Sequence, residues 1–294
     1  MSQTKDRLIR GTAIDGKVRA FAVRTTGLVE ELRRRHDMYP TATAALGRTL
    51  TAGAMMGSMM KGKEKLTIQI KGDGPLGQIL VDANALGEVR GYVNEPQAHL
   101  PNNSMGKPDV AGAVGTSGFL HVTKDLGMKE PYRGSVPIVS GEIGEDFTYY
   151  FAVSEQTPSA VGLGVRVESD ASVIVAGGFI IQLLPGLEDE EITAIEQAVG
   201  QLPPVTSLLD QGLELEEMIK CILPDFKLLD EMDIKFACSC SRERVEKTLI
   251  SLGETELTQL MEEDEETEVV CDFCRNAYVF NQDDIRTLLE QAKN

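Results

Sequence analysis

No apolar run opens this chain. Met1 to Gly16 carries Lys5, Asp6, Arg7, Arg10 and Asp15 and lacks the hydrophobic stretch of an export signal, which predicts a cytoplasmic protein with reduced cysteines. Excess positive charge is missing too. With 29 Lys+Arg against 46 Asp+Glu, the net charge of -17 opposes nucleic-acid backbones and anionic lipid surfaces, so neither is an expected partner. Histidine is scarce, and His36, His99 and His121 stand in no nucleophile motif, which argues against a hydrolase. The glycines of Gly112 to Gly118 (GAVGTSG) lack the Lys-Ser/Thr ending of a phosphate loop and read as a turn. No catalytic residue is expected. A membrane span is excluded as well, because the longest small-residue stretch, Thr41 to Met60, has Arg48 near its middle.

What is present suffices for a sizeable core and a second module: 294 residues, 42% of them hydrophobic. The acid is unevenly placed. Residues 1–184 hold 20 Lys+Arg against 19 Asp+Glu, a net of +1, whereas residues 185–294 hold 9 against 27, a net of -18.

The first part reads as mixed α and β with mainly antiparallel strands. Lys17 to Arg24, Lys65 to Lys71, Gly77 to Asp82 and Glu88 to Val93 alternate or run as strands, and Gly72-Asp73-Gly74-Pro75 is a turn between two of them. Thr41 to Met60 predicts a tightly packed buried helix whose four methionines are core. Arg33, Arg34 and Arg35 read as a solvated helix face, Phe147 to Val153 as a strand, and Val173 to Leu184 as a strand central in a sheet. Beyond Pro185-Gly186, the stretches Asp189 to Val199 and Leu215 to Leu223 are amphipathic helices with acidic outer faces, separated by Pro203-Pro204. Such a segmented linker must lie on something apolar.

From about Phe236 the chain predicts a small module, burdened by the acidic run Glu262 to Glu266 and therefore in need of a staple. Strands around Cys271-Asp-Phe-Cys274 and a short helix capped by Asn281 and carrying Ile285, Leu288 and Leu289 complete it. Cys238-Ser-Cys240 and Cys271-Asp-Phe-Cys274 supply the staple, because two close thiol pairs describe one closed tetrahedral metal site. Zinc is the expected metal, one ion per chain, held by Cys238, Cys240, Cys271 and Cys274. The same sulfurs are also what oxidants attack. Arg242, Arg244 and Arg275 stand close enough in sequence to offset thiolate charge, while Cys221, inside MIKCIL, reads as an ordinary buried cysteine.

Across these segments the chain resembles the redox-regulated heat shock protein 33 family of bacterial holdase chaperones. The resemblance is carried by Thr123 to Gly127, Glu130 to Gly134, Gly141 to Gly164, Gly177 to Gly186, Cys238 to Glu243 and Cys271 to Cys274. It implies an α+β protein with an α/β core domain at 1–184, an amphipathic helical linker at 185–235 and a zinc and redox-switch module at 236–294. It also implies a chaperone, not an enzyme, that is inactive when reduced and zinc-bound. Oxidation to the disulfides Cys238–Cys240 and Cys271–Cys274 would release zinc and unfold the C-terminal region. The active form, expected to be a homodimer, would then hold unfolding client proteins during oxidative and heat stress. The competing reading is a thiol-disulfide oxidoreductase using the CxxC pair, and a zinc-ribbon nucleic-acid binder is opposed by the acidity of the last third.

Overall fold

A computed structural model describes residues 5–292 apart from Met105, Ser169 and Asp264. The first four residues of the polar stretch Met1 to Gly16, and Asp264 of the acidic run, lie outside the described residues. The chain divides into two compact units, Met1–Ala237 and Cys238–Asn294.

In the first unit the strands and helices run β1 (Arg7–Ala13), β2 (Val18–Arg24), α1 (Thr26–His36), α2 (Pro40–Ser58), β3 (Lys65–Gly72), β4 (Gln78–Asn84), β5 (Glu88–Val93) and α3 (Val110–Val114). There follow β6 (Gly118–Asp125), β7 (Tyr132–Pro137), α4 (Gly144–Val153), β8 (Ser159–Val167), β9 (Val173–Leu183), α5 (Asp189–Gln201), α6 (Val205–Asp210), α7 (Leu215–Lys220), β10 (Lys227–Asp233) and β11 (Lys235–Phe236). One sheet has the order β10-β1-β2-β9-β8 and is antiparallel throughout. The other, β11-β5-β4-β3-β6-β7, is antiparallel except where β11 joins β5.

Helix α2 packs against strands of both sheets, and its small residues are what allow the approach. A Cβ on Gly57 would sit 2.9 Å from the Asn84 carbonyl oxygen, and one on Gly53 would meet the Val81 side chain at 2.8 Å. Met55 and Met56 are fully buried, as core methionines should be, and Arg48 reaches Glu142 at 2.6 Å. Among the described residues no helix is long and apolar enough to cross a membrane. The arginines of α1 are engaged along their own helix, Arg33 and Arg34 with Glu30 and Arg35 with Glu31.

Phe147 to Val153 is helical, contrary to the strand its aromatic run predicts. The buried carboxylate of Asp146 accepts hydrogen bonds from the backbone N–H of Val139, Ser140 and Ile143, which fixes Ile143 at φ 67° and starts α4. Phe147, Tyr150 and Phe151 then share one buried face at helical spacing.

The stretch after β9 does rest on an apolar surface. Val205, Leu208, Leu209, Leu215, Met218 and Ile219 are buried against Ile9, Ala20, Ala22, Val175, Phe179 and Ile181 of the five-stranded sheet. Around this contact, Arg7 pairs with Glu214 at 2.8 Å, Glu216 at 3.0 Å and Glu231 at 2.9 Å, Arg166 with Asp210 at 2.5 Å, and Lys17 with Glu191 at 3.4 Å. Cys221 caps the C-terminal end of α7 and is exposed, not buried. The apolar stripe passes through Met218, Ile219 and Ile222 and leaves Cys221 off it.

The second unit contains α8 (Arg242–Leu252), α9 (Glu254–Glu263), the hairpin of β12 (Glu266–Val270) with β13 (Ala277–Asn281), and α10 (Gln282–Ala292). Asn281 caps α10 reciprocally: Asp284 N–H donates to the Asn281 side chain at 2.9 Å, and Asn281 N–H to the Asp284 carboxylate at 3.1 Å. Among the described residues its buried apolar cluster is small, comprising Leu249, Leu257, Phe280, Ile285 and Leu288 with partly buried neighbours such as Val245, Leu260 and Leu289. So slight a core falls short of what a module below roughly 70–80 residues needs for independent stability.

Candidate metal centre

Two backbone devices bring the four thiols together. Cys238 and Cys240 lie in the extended stretch before α8, whose first turn is capped by Ser241 accepting from Arg244 N–H. Cys271 and Cys274 lie in the β12–β13 turn, closed by Cys271 N–H donating to the Asn276 carbonyl at 2.9 Å and Arg275 N–H to the Cys271 carbonyl at 2.8 Å. Arg275 makes the turn with φ 60°. Residues 33 and 34 positions apart thus converge because β12 and β13 return the chain to the stretch before α8.

The four sulfurs lie within 4.8 Å of one another, with Cys238 Sγ 3.8 Å from Cys271 Sγ and Cys240 Sγ 3.2 Å from Cys274 Sγ. A tetrahedron with arms of ~2.3 Å has edges of about 3.8 Å, so a single thiophilic cation fits this donor set. All four positions are filled by protein, which leaves no place for substrate. Cys274 is buried and the others are half-buried.

The thiols are electrostatically unequal. Burial pushes the Cys240 thiol up, but hydrogen bonds from Tyr278 and its neighbouring cysteines outweigh that and hold it at about 7. Burial pushes Cys238 and Cys274 up. Tyr278, whose hydroxyl donates to Cys240 Sγ at 3.1 Å, is pushed up to about 12 by that bond. Four adjacent thiolates need a central cation, and that need is itself a sign of fit.

Two of the three nearby arginines hydrogen-bond to oxygens around the site. Arg242 donates to the Val279 carbonyl at 2.8 Å and to Asp284 at 2.9 Å, and stacks 4.3 Å from the Phe280 ring centre. Arg244 donates to the Ser239 carbonyl at 3.0 Å and its hydroxyl at 2.6 Å, which orients the residue between the first two cysteines. Tyr278 is the functional residue that sequence reasoning missed. Its only signal is an aromatic with a polar end four positions after Cys274.

Replacing Tyr278 with Phe removes one donor to a ligand sulfur while keeping the ring, and an outer-shell loss of this kind costs about 10- to 100-fold in metal affinity. Competition with a chromophoric chelator measures it. Unchanged affinity would make the 3.1 Å contact incidental.

The CDFC segment opens onto β13, not onto a helix N-terminus that would activate Cys271 for disulfide exchange. The histidines are accounted for in the first unit: His99 meets the Tyr39 ring edge-on, His121 stacks on Phe119, and His36 is buried.

Comparison with known proteins agrees with this architecture. The family model described as Hsp33 protein matches residues 6–281. The 33 kDa chaperonin of Bacillus cereus strain B4264 is 57% identical over 288 residues, covering 97% of this chain and 99% of the relative. That of Bacillus anthracis strain CDC 684 is 56% identical over the same shares. The crystal structure of the 33 kDa chaperonin, or heat shock protein 33 homolog, from Thermotoga maritima superposes with a TM-score of 0.94 at 39% identity, covering 99% of this chain and 100% of that one. With a family match over residues 6–281 and a four-thiol cluster in the small second unit, this chain belongs to the Hsp33 protein family.

Proposed function

We propose that this chain is a redox-regulated holdase chaperone, a binding protein without catalytic turnover that works in the cytoplasm. The observation that carries the switch is the gathering of four sulfurs within 4.8 Å in a unit whose apolar cluster has five buried residues among those described. Cys238, Cys240, Cys271 and Cys274 would hold one zinc ion, which when bound supplies the cross-link that the small core lacks. A peroxide accepts two electrons from each pair of zinc-bound thiolates and two protons from solvent, leaving water, a disulfide in place of two donors, and zinc free to depart as the divalent ion. The acidic unit then unfolds, and the linker at 185–235 loosens from the core at 1–184 and exposes apolar surface to unfolding clients. The active form is proposed to be a homodimer.

Light scattering of a thermally unfolding client tests the function. The peroxide-treated chain should suppress scattering at near-stoichiometric amounts and the reduced, metal-loaded chain should not. Equal suppression by both forms would rule out the switch.

We propose the disulfides Cys238–Cys240 and Cys271–Cys274. Sulfur contacts of 3.8 and 3.2 Å run across these pairs, and with all four sulfurs within 4.8 Å small motions decide the partner. Cleavage after Lys and Arg places Cys238 with Cys240 between Lys235 and Arg242, and Cys271 with Cys274 between Lys247 and Arg275. Mass spectrometry of the oxidised digest should find two separate peptides, each two hydrogens lighter. A single cross-linked species would reverse the pairing.

A further inference from the structure

The charges around α5–α7 are one-sided. Among the described residues, four ion pairs join the α5–α7 stretch to the core, Arg7 with Glu214 and Glu216, Lys17 with Glu191 and Arg166 with Asp210, and in all four the cation lies on the core. Residues 185–235 hold 13 Asp+Glu against 3 Lys, a net of -10, while the sheet face beneath is apolar with Arg7, Lys17 and Arg166 at its rim. Arg24, itself buried, adds a donor to the Leu213 carbonyl at 3.4 Å. Apolar burial alone would not require this pattern. A rim of one sign contributes mainly selectivity and orientation, because exposed ion pairs add little affinity individually.

Resting on the holdase reading, we infer that the sheet face beneath α5–α7 is a recognition surface for acidic amphipathic helical segments of client proteins, with residues 205–223 occupying it in the resting chain as an internal stand-in. A client segment with apolar residues at helical spacing and carboxylates on its flanks would place those carboxylates where Asp210, Glu214 and Glu216 now meet Arg166 and Arg7. Basic amphipathic segments of the same hydrophobicity would meet like charge and be rejected.

The test uses a synthetic peptide copying residues 205–223 with Cys221→Ser, and a second copy that also carries Asp210→Asn, Glu214→Gln and Glu216→Gln. One receptor is the full chain with Ile219→Asp, whose own segment no longer competes from its tether. Peroxide-oxidised parent is the second receptor and decides the matter if that variant does not fold. The acidic peptide should bind about tenfold tighter than the neutralised one at low salt, the sum expected of three weak pairs. The difference should vanish at about 1 M ionic strength, where screening acts over roughly 3 Å. Arg7→Gln with Arg166→Gln in the receptor should abolish it while leaving the neutralised peptide's binding unchanged. Equal binding of the two peptides at low salt, or equally tight binding to reduced parent with its segment docked, would overturn the inference. Client-scattering suppression by the same oxidised sample separates the two ideas. Suppression without charge discrimination defeats this inference alone, and discrimination without suppression defeats the holdase reading while the recognition surface stands.

Discussion

Cys271→Ser should lower bound zinc from about one ion per reduced chain to nearly none, whereas Cys221→Ser should leave it at about one. The contrast follows from placement. Cys271 is one of four sulfurs within 4.8 Å, while Cys221 is an exposed residue at the end of α7 in the other unit. The consequence for folding is large, since zinc binding to small modules is worth about 10–16 kcal/mol in apparent free energy and whole domains are stable by about 5–15 kcal/mol. The five residues Leu249, Leu257, Phe280, Ile285 and Leu288 cannot make up that loss, so the variant's second unit should lack fixed structure even under reduction. Metal analysis after gel filtration, with circular dichroism on the same fractions, checks both parts. Equal zinc loss in the two variants would remove the assignment of the ligands.

Ile219→Asp should release the linker without oxidation. Ile219 and Met218 are fully buried between α7 and the five-stranded sheet, and an unpaired carboxylate there would cost about 4–5 kcal/mol or more if it stayed docked. Undocking avoids the cost. The reduced variant should therefore bind a hydrophobic dye and suppress client scattering while retaining its zinc, because none of the four cysteines is touched. A variant that keeps its zinc and stays inactive would show that exposure of this face is not what activates the chain.

The parts legible in the sequence are those with strong local signals. The small residues from Thr41 to Met60 suit a closely packed helix, and those up to Ser58 form α2 against both sheets, with Met59 and Met60 just beyond its end and partly buried. Two short-spaced cysteine pairs pointed to the four thiols that the structure gathers within 4.8 Å, and Asn281 marked the start of α10. Other elements depend on distant partners. Strand β10 (KLLDEMD) shows no alternation because it is an exposed edge strand, and only its register with β1 makes it a strand. The gap between the cysteine pairs hides α8 and α9, whose many charged residues mask a modest apolar stripe. Helix α4 was hidden because an aromatic run satisfies both periods until Asp146 caps it. Tyr278 became visible only when β13 placed its hydroxyl against Cys240.

The central claim is that thiols, metal and the fold of the second unit form one equilibrium. Hydrogen exchange on the reduced chain, with and without a zinc chelator, tests it most directly. Chelation should strip protection from α8, α9, the β12–β13 hairpin and α10, while β3, β4 and β6 in the first unit keep theirs. Unchanged protection from Arg242 through Ala292 after complete metal removal would contradict the account.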